Sequence, residues 1–198
     1  SKTMSNGRFG RMFVPLSANP TEFLRRFVTV DETWVHHYTP ETKQQSKQWT
    51  VKGEPAPKKV KVVASASKVM ATVFWDGRGI IFIDYLQKGK TINGEYYAYL
   101  LQKLNEENKR KRLHLAKKKI LIHQNNAPVH TSLIAMAKIY ELKFELLHQP
   151  PYSPDLAPCD FHLFPNLKKR LGEKRFANDN QVVDTVNEYF EELDKCTY

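Results

Sequence analysis

Two apolar, β-rich runs, MATVFWD (70–76) and IIFIDYL (80–86), meet around Gly77-Arg78-Gly79. Strand formers on either side of a glycine-containing turn predict an antiparallel hairpin, so any fold for this chain has to hold that unit. The rest of the pattern alternates. Phe27-Val28-Thr29-Val30 reads as a strand that ends at Asp31. Thr91 or Asn93 can cap a helix from about Gly94 to Asn108, with Tyr97, Leu100, Leu101 and Leu104 on one face. ILIH (120–123) reads as a short buried strand, and Thr131 or Ser132 then caps a helix to about Leu142. KFELLH (143–148) is a further strand stopped by Pro150-Pro151, and two helices follow, roughly 159–171 and 179–194. Strand, hairpin, helix, strand, helix, strand, helix, helix predicts an α/β fold with a mixed central sheet flanked by helices.

Residues 1–20 are expected as an irregular lead-in and 21–198 as one folded domain. Within that domain, residues 38–61 are polar, basic and proline-containing and read as a long loop or arm. At 198 residues and 41% hydrophobic, the chain can build one substantial core. Its 31 Lys and Arg against 21 Asp and Glu leave a net charge of +10, which attracts polyanions, nucleic acid first among them. Cys159 and Cys196 are the two cysteines, too few for a disulfide framework and not in zinc spacing, which suggests an intracellular setting. No apolar run approaches the ~20 residues of a membrane helix, and the first residues lack the apolar core of a secretory signal.

Three oxygen-bearing side chains fall at the ends of predicted elements. Asp31 closes the first strand, Asn125 follows the fourth, and Asp160 opens a helix after a proline-rich turn. In an α/β sheet such strand ends share a crevice. Magnesium favours one or two carboxylates plus substrate phosphate, and a pair of such ions can cut a phosphodiester. In a chain with 21 acids, solvated surface is the commoner role for any one of them.

Longer motifs sharpen this reading. VTVDETWVHHYTPETKQQSKQW, KVMATVFWDGRGIIFIDYL, INGEYYAYLL, HQNNAPVHTS and PPYSPDLAPCDFHLFPNLKKRL, in that order, resemble the catalytic domain of mariner-family DNA transposases over about Asn19 to Leu193. The resemblance implies an RNase H-like fold and three acids that hold two Mg²⁺ ions, with Mn²⁺ as a substitute. It also implies cleavage and strand transfer at transposon ends. The partners it implies are transposon-end and target DNA and a second copy of the chain, in the nucleus, with no small-molecule substrate. Asp31 matches the first acid. The family's second and third acids are separated by the 34 residues that 126–159 supply between Asn125 and Asp160. The family pattern is HQDNAPVH, whereas this chain has HQNNAPVH, so Asn125 stands where the resemblance implies an acid. An amide offers one carbonyl oxygen, carries no charge and turns an acceptor into a donor, so metal binding and cleavage should fall. An inactivating substitution that leaves DNA uncut and the decay of a genomic copy both fit. The resemblance further implies two helix-turn-helix units ahead of the catalytic domain and a C-terminal helix. Arg11-Met12-Phe13-Val14-Pro15 resembles the linker before that domain, and a truncated copy is one expectation.

Other candidates have bland alternatives. Trp34 can stack on a base or simply fill core. His123 and His130 flank position 125 and can touch DNA or metal, although packed or capping histidines are commoner. Of the basic runs 58–61, 109–112, 117–119 and 168–170, at least two are expected to contact phosphate. Lys58, Lys59 and Lys61 lie in the arm, which the resemblance implies reaches a partner subunit. Tyr152, Ser153, Pro154, Asp155 and Leu156 match a family motif for subunit communication, and they also read as a rigid turn.

Overall fold

Asn19 accepts a hydrogen bond from the Glu22 backbone N–H at 3.0 Å and so caps a short helix, α1 (Pro20–Arg26), with proline in its first turn. Pro20, expected in the lead-in, is thus the first residue of this helix. The computed structural model describes residues 19–40, 65–113, 118–149, 157–172 and 174–195. Residues 41–64, which include residues 41–61 of the arm with Lys58, Lys59 and Lys61, and the motif Tyr152–Leu156 lie outside the described residues.

After α1 come β1 (Phe27–His36), β2 (Lys68–Asp76), β3 (Gly79–Tyr85), α2 (Gly94–Lys111) and β4 (Leu121–Gln124). Then follow α3 (Leu133–Glu141), β5 (Glu145–His148), one π-helical turn (Cys159–Leu163), α4 (Phe164–Leu171) and α5 (Asp179–Lys195). The five strands form one sheet in the order β3-β2-β1-β4-β5. β1–β2 and β2–β3 pair antiparallel, and β1–β4 and β4–β5 pair parallel, so the sheet is mixed as expected. The hairpin forms where the glycines predicted it. Phe74 pairs with Phe82 but Trp75 with Ile80, which leaves Ile81 as an extra residue on β3. That bulge turns both Ile81 and Phe82 toward the same core.

Helices cover both faces. Val28, Val30, Phe74, Ile81 and Ile122 pack under Tyr97, Leu100, Leu101 and Leu104 of α2 and Ala135 and Ile139 of α3. On the other face Val35, Val69, Ala71, Val73 and Ile80 meet Leu163, Phe164, Leu167, Val182, Val186 and Phe190. Side chains alternate along a strand, so on β1 the even-numbered residues face α2 and α3 and the odd-numbered ones face α4 and α5.

Three expected boundaries shift for local reasons. β1 does not end at Asp31: it runs ten residues, because Glu32 to His36 continue the ladder against β2. β5 starts at Glu145 rather than Lys143, whose φ of 58° is a left-handed turn conformation that no strand residue adopts. The helix expected over 159–171 is a π turn followed by α4, and Pro165, which has no N–H to donate, sits where one gives way to the other.

Candidate active site

Asp31 occupies the middle of β1, on the face toward α4. The parallel register sets Thr29 beside His123, and two residues further on the same alternation brings Asp31 beside Asn125 on that face. The Asn125 Nδ2–H donates to Asp31 Oδ1 at 3.0 Å, and the Glu32 backbone N–H donates to the same oxygen at 2.8 Å. The third residue arrives from the π turn. Cys159 there is fully buried, its sulfur 3.2 Å from Trp75 Nε1 and 3.8 Å from Thr29 Oγ1, and this anchor leaves the following Asp160 exposed at the mouth. Asp31 is only 7% exposed. Burial pushes its carboxyl up to about 7, and the nearby charges of Asp160 and Glu32 push the same way against the Glu32 N–H bond and His130. Asp31 and Asn125 thus meet directly from β1 and the end of β4, and Asp160 of the π turn lies near enough for its charge to raise the Asp31 carboxyl.

The amide's orientation follows from its neighbours. Asn125 Oδ1 accepts the Ala127 backbone N–H at 3.0 Å, which turns Nδ2 toward Asp31. Position 125 therefore presents a proton donor to the site, and its carbonyl oxygen is engaged in the turn that leaves β4. Among the described residues no three His, Cys, Asp or Glu side chains converge on one point. Asp31 and Asp160 are the two carboxylates here that would hold a divalent ion, the ligand type that magnesium takes together with substrate phosphate. A second ion against residue 125 does not fit, because an N–H repels a cation.

The histidines take the packed alternative rather than contact with DNA. His123 and His130 are each 1% exposed, so neither offers DNA a surface. His123 sits against the Phe27 ring, with Nδ1 3.4 Å from Thr29 Oγ1, and burial lowers its pKa to about 4. It is a neutral core residue, because that site excludes water. His130 Nε2 lies 3.0 Å from Glu32 Oε1, and its ring packs on Tyr97 at 4.2 Å. Glu32 and Gln124 escaped the sequence reading, and Tyr97 was read there only as part of the buried face of α2. Alternation after Asp31 was the available signal for Glu32's facing, but nothing local pairs it with a residue 98 positions away. Trp34 lies within β1 rather than after it, is 40% exposed, and carries Lys68 Nζ 4.0 Å from its ring centroid. Trp34 is therefore not a core residue. The run 109–112 is partly structural: Arg112 grips buried Asp76 at 2.7 and 3.0 Å, and Lys111 donates to the Ile81 carbonyl at 2.7 Å. Lys168 and Lys169 stand exposed on α4.

Residues 39–118 match the family described as transposase, partial DDE domain. Over 172 residues the chain is 37% identical to the histone-lysine N-methyltransferase SETMAR of Homo sapiens, covering 85% of this chain and 24% of that protein. Over 178 residues it is 34% identical to the mariner Mos1 transposase of Drosophila mauritiana, covering 89% of this chain and 51% of that one. The chain thus spans about half of one relative and a quarter of the other. The fold superimposes on the Mos1 mariner paired-end complex with Mn with a TM-score of 0.80 and 32% identity, over 96% of this chain and 57% of that one. The sheet order, the two helical layers and these likenesses are those of an RNase H-like fold. The chain belongs to the mariner transposase family, over its catalytic domain.

Proposed function

We propose that this chain carries out metal-dependent DNA strand cleavage and strand transfer at transposon ends, impaired by the amide at position 125. The observation that carries this reading is the Asn125 Nδ2 bond to Asp31 Oδ1 at 3.0 Å, with Asp160 near enough for its charge to raise the Asp31 carboxyl. Asp31 and Asp160 would hold one divalent ion, Mg²⁺ or Mn²⁺, and a second ion would need an acid at position 125. Such an ion, when bound, would supply a lowered pKa for the attacking water and charge to offset the leaving oxygen. Asp31 contributes a carboxylate held in place by the Glu32 N–H. Asp160, exposed at the mouth, meets the substrate side. Asn125 holds Asp31 in place but adds no charge, so attack on the phosphodiester is slow. The similar Mos1 structure is a paired-end complex with Mn, which supports a divalent ion and DNA as this chain's partners. Lys58, Lys59, Lys61 and the exposed α4 lysines bind phosphate, Trp34 stacks on a base, and Tyr152–Leu156 serves contact between two copies in the nucleus.

A second reading is a DNA-binding or assembly module without catalysis. The amide donor aimed at Asp31 favours it, since that hydrogen bond satisfies the carboxylate where a cation would otherwise do so. Nicking of supercoiled plasmid in Mn²⁺ separates the two. Asn125→Asp should nick well above the parent, by an order of magnitude or more, and Asp31→Ala should abolish the gain. If Asn125→Asp nicks no faster than the parent, the module reading stands.

A further inference from the structure

The residues next to the two candidate ligand strands are tied together on the opposite face of the sheet. Asp31 and Asn125 face α4, so their neighbours Glu32 and Gln124 face α2 and α3. There the fully buried Tyr97 hydroxyl donates to Gln124 Oε1 at 2.6 Å, and Gln124 Nε2 donates to the His130 carbonyl at 3.1 Å. The His130 ring returns to β1 through Nε2 and Glu32 Oε1, 3.0 Å apart. A carboxylate only accepts, so Nε2 carries the proton and donates, while Nδ1 is buried with no hydrogen-bond partner. His130 also anchors the loop leaving β4. Its backbone N–H donates to the Ala127 carbonyl at 3.0 Å, and the Ala127 N–H donates to Asn125 Oδ1. One side chain thus grips β1 at the residue after Asp31 and, through its own backbone, the turn that orients residue 125.

We infer that His130 is a positioning residue: it holds the spacing between Asp31 and the side chain at 125 from behind the sheet, without touching DNA or metal. The hydrogen bond to Glu32, rather than the volume of the ring, does this. Glutamine reproduces a donor at the Nε2 position, whereas leucine fills the space without one. His130→Gln should therefore retain the site geometry and His130→Leu should lose it. Glu32→Ala, cut from the other end of the bond, should behave like His130→Leu. The inference rests on the proposed function only for its consequence for metal, so its primary readout needs no metal.

The readout is the Asn125 side-chain NH₂ in ¹⁵N NMR spectra of the whole chain, which reports the bond to Asp31. In the parent and in His130→Gln this amide should exchange slowly with solvent. In His130→Leu and Glu32→Ala exchange should quicken by about tenfold or more, while melting temperatures stay within a few degrees of the parent. In the Asn125→Asp protein, His130→Leu should weaken Mn²⁺ binding, followed by EPR, by about 10- to 100-fold, and His130→Gln should not. Unchanged Asn125 exchange in Glu32→Ala, or a His130→Gln as quick as His130→Leu, overturns the inference. If His130→Leu does not fold, Glu32→Ala and His130→Gln still decide it. Absence of Mn²⁺ binding with the exchange pattern intact sinks the metal reading and leaves the positioning role standing. Mn²⁺ binding with the pattern absent does the reverse.

Discussion

Asn125 replaces a charge by a donor, and its consequences meet at one atom, Asp31 Oδ1. With aspartate at 125, two carboxylates would face each other across 3.0 Å and need a cation or a proton between them. With asparagine the amide N–H makes that contact in place of a second carboxylate. Asp31 still lies in a dry place, and burial pushes its carboxyl from its ordinary 3.8 up to about 7. Between those pH values the folded chain binds a proton that the unfolded chain has released. This contribution to stability is complete below about pH 4 and lost as pH rises to about 7, at most on the order of 4 kcal/mol. Urea unfolding at pH 5 and pH 7.5 should show the parent losing more stability between the two than Asp31→Asn, which has no carboxyl to titrate. Parallel profiles would mean that Asp31 is not shielded from water. Metal requires the ionised form, so Mn²⁺ affinity of the Asn125→Asp protein should rise from pH 6 to pH 8 when measured by titration calorimetry.

Elements are held by caps and clasps whose failure can be measured one at a time. The N-terminus of α2 comes so close to that of α3 that a Cβ on Gly94 would lie 2.5 Å from Ser132 Oγ. That oxygen caps α3 by accepting the Ala135 N–H at 3.3 Å. Gly94→Ala should therefore cost about 1 kcal/mol by displacing the cap. In a Ser132→Ala background the same change should cost less, because only the Cβ of residue 132, 3.2 Å away, remains in its path, and a double-mutant cycle in urea reads the coupling. At the other end of α2, Arg112 closes on Asp76, which is 4% exposed, and Asp76 Oδ1 also accepts the Arg78 N–H of the hairpin turn. Arg112→Ala leaves that carboxylate buried without its cation, at about 3–5 kcal/mol, whereas replacing both partners by apolar residues should cost far less. Equal losses from the single and double replacements would contradict a clasp of this kind.

Across the whole molecule, helices on both sheet faces bury two separate cores and free the basic residues for the surface. A net charge of +10 makes binding to duplex DNA a matter of counterion release, so log K should fall linearly with log salt, with a slope of about 0.9 per neutralised phosphate. Lys168 and Lys169 stand exposed on α4, which continues the turn carrying Asp160. Replacing both by alanine should reduce that slope by roughly 2, measured by fluorescence anisotropy from 50 to 200 mM salt. An unchanged slope would place the DNA path elsewhere.

What the sequence determined by itself was local or carried in long motifs. The hairpin at Gly77–Gly79, the helix starts at Thr91 or Asn93 and at Thr131 or Ser132, which the structure gives to Asn93 and Ser132, and the mixed α/β order depend on residues within a few positions of each other, where turn and capping chemistry acts. The motif order and the 34-residue interval pointed to Asp31, Asn125 and Asp160 before any geometry was known. Only the tertiary structure decided that Asp31 lies in mid-strand, because β1 continues wherever β2 is there to pair with it. It also decided that His123 and His130 are buried, since burial depends on the helices folded over them and not on their neighbours in the chain. The direction of the Asn125 amide was settled in the same way. Its partners are the Ala127 N–H two residues on and the Asp31 carboxylate 94 residues away, and the second is brought beside it only when β4 inserts parallel to β1.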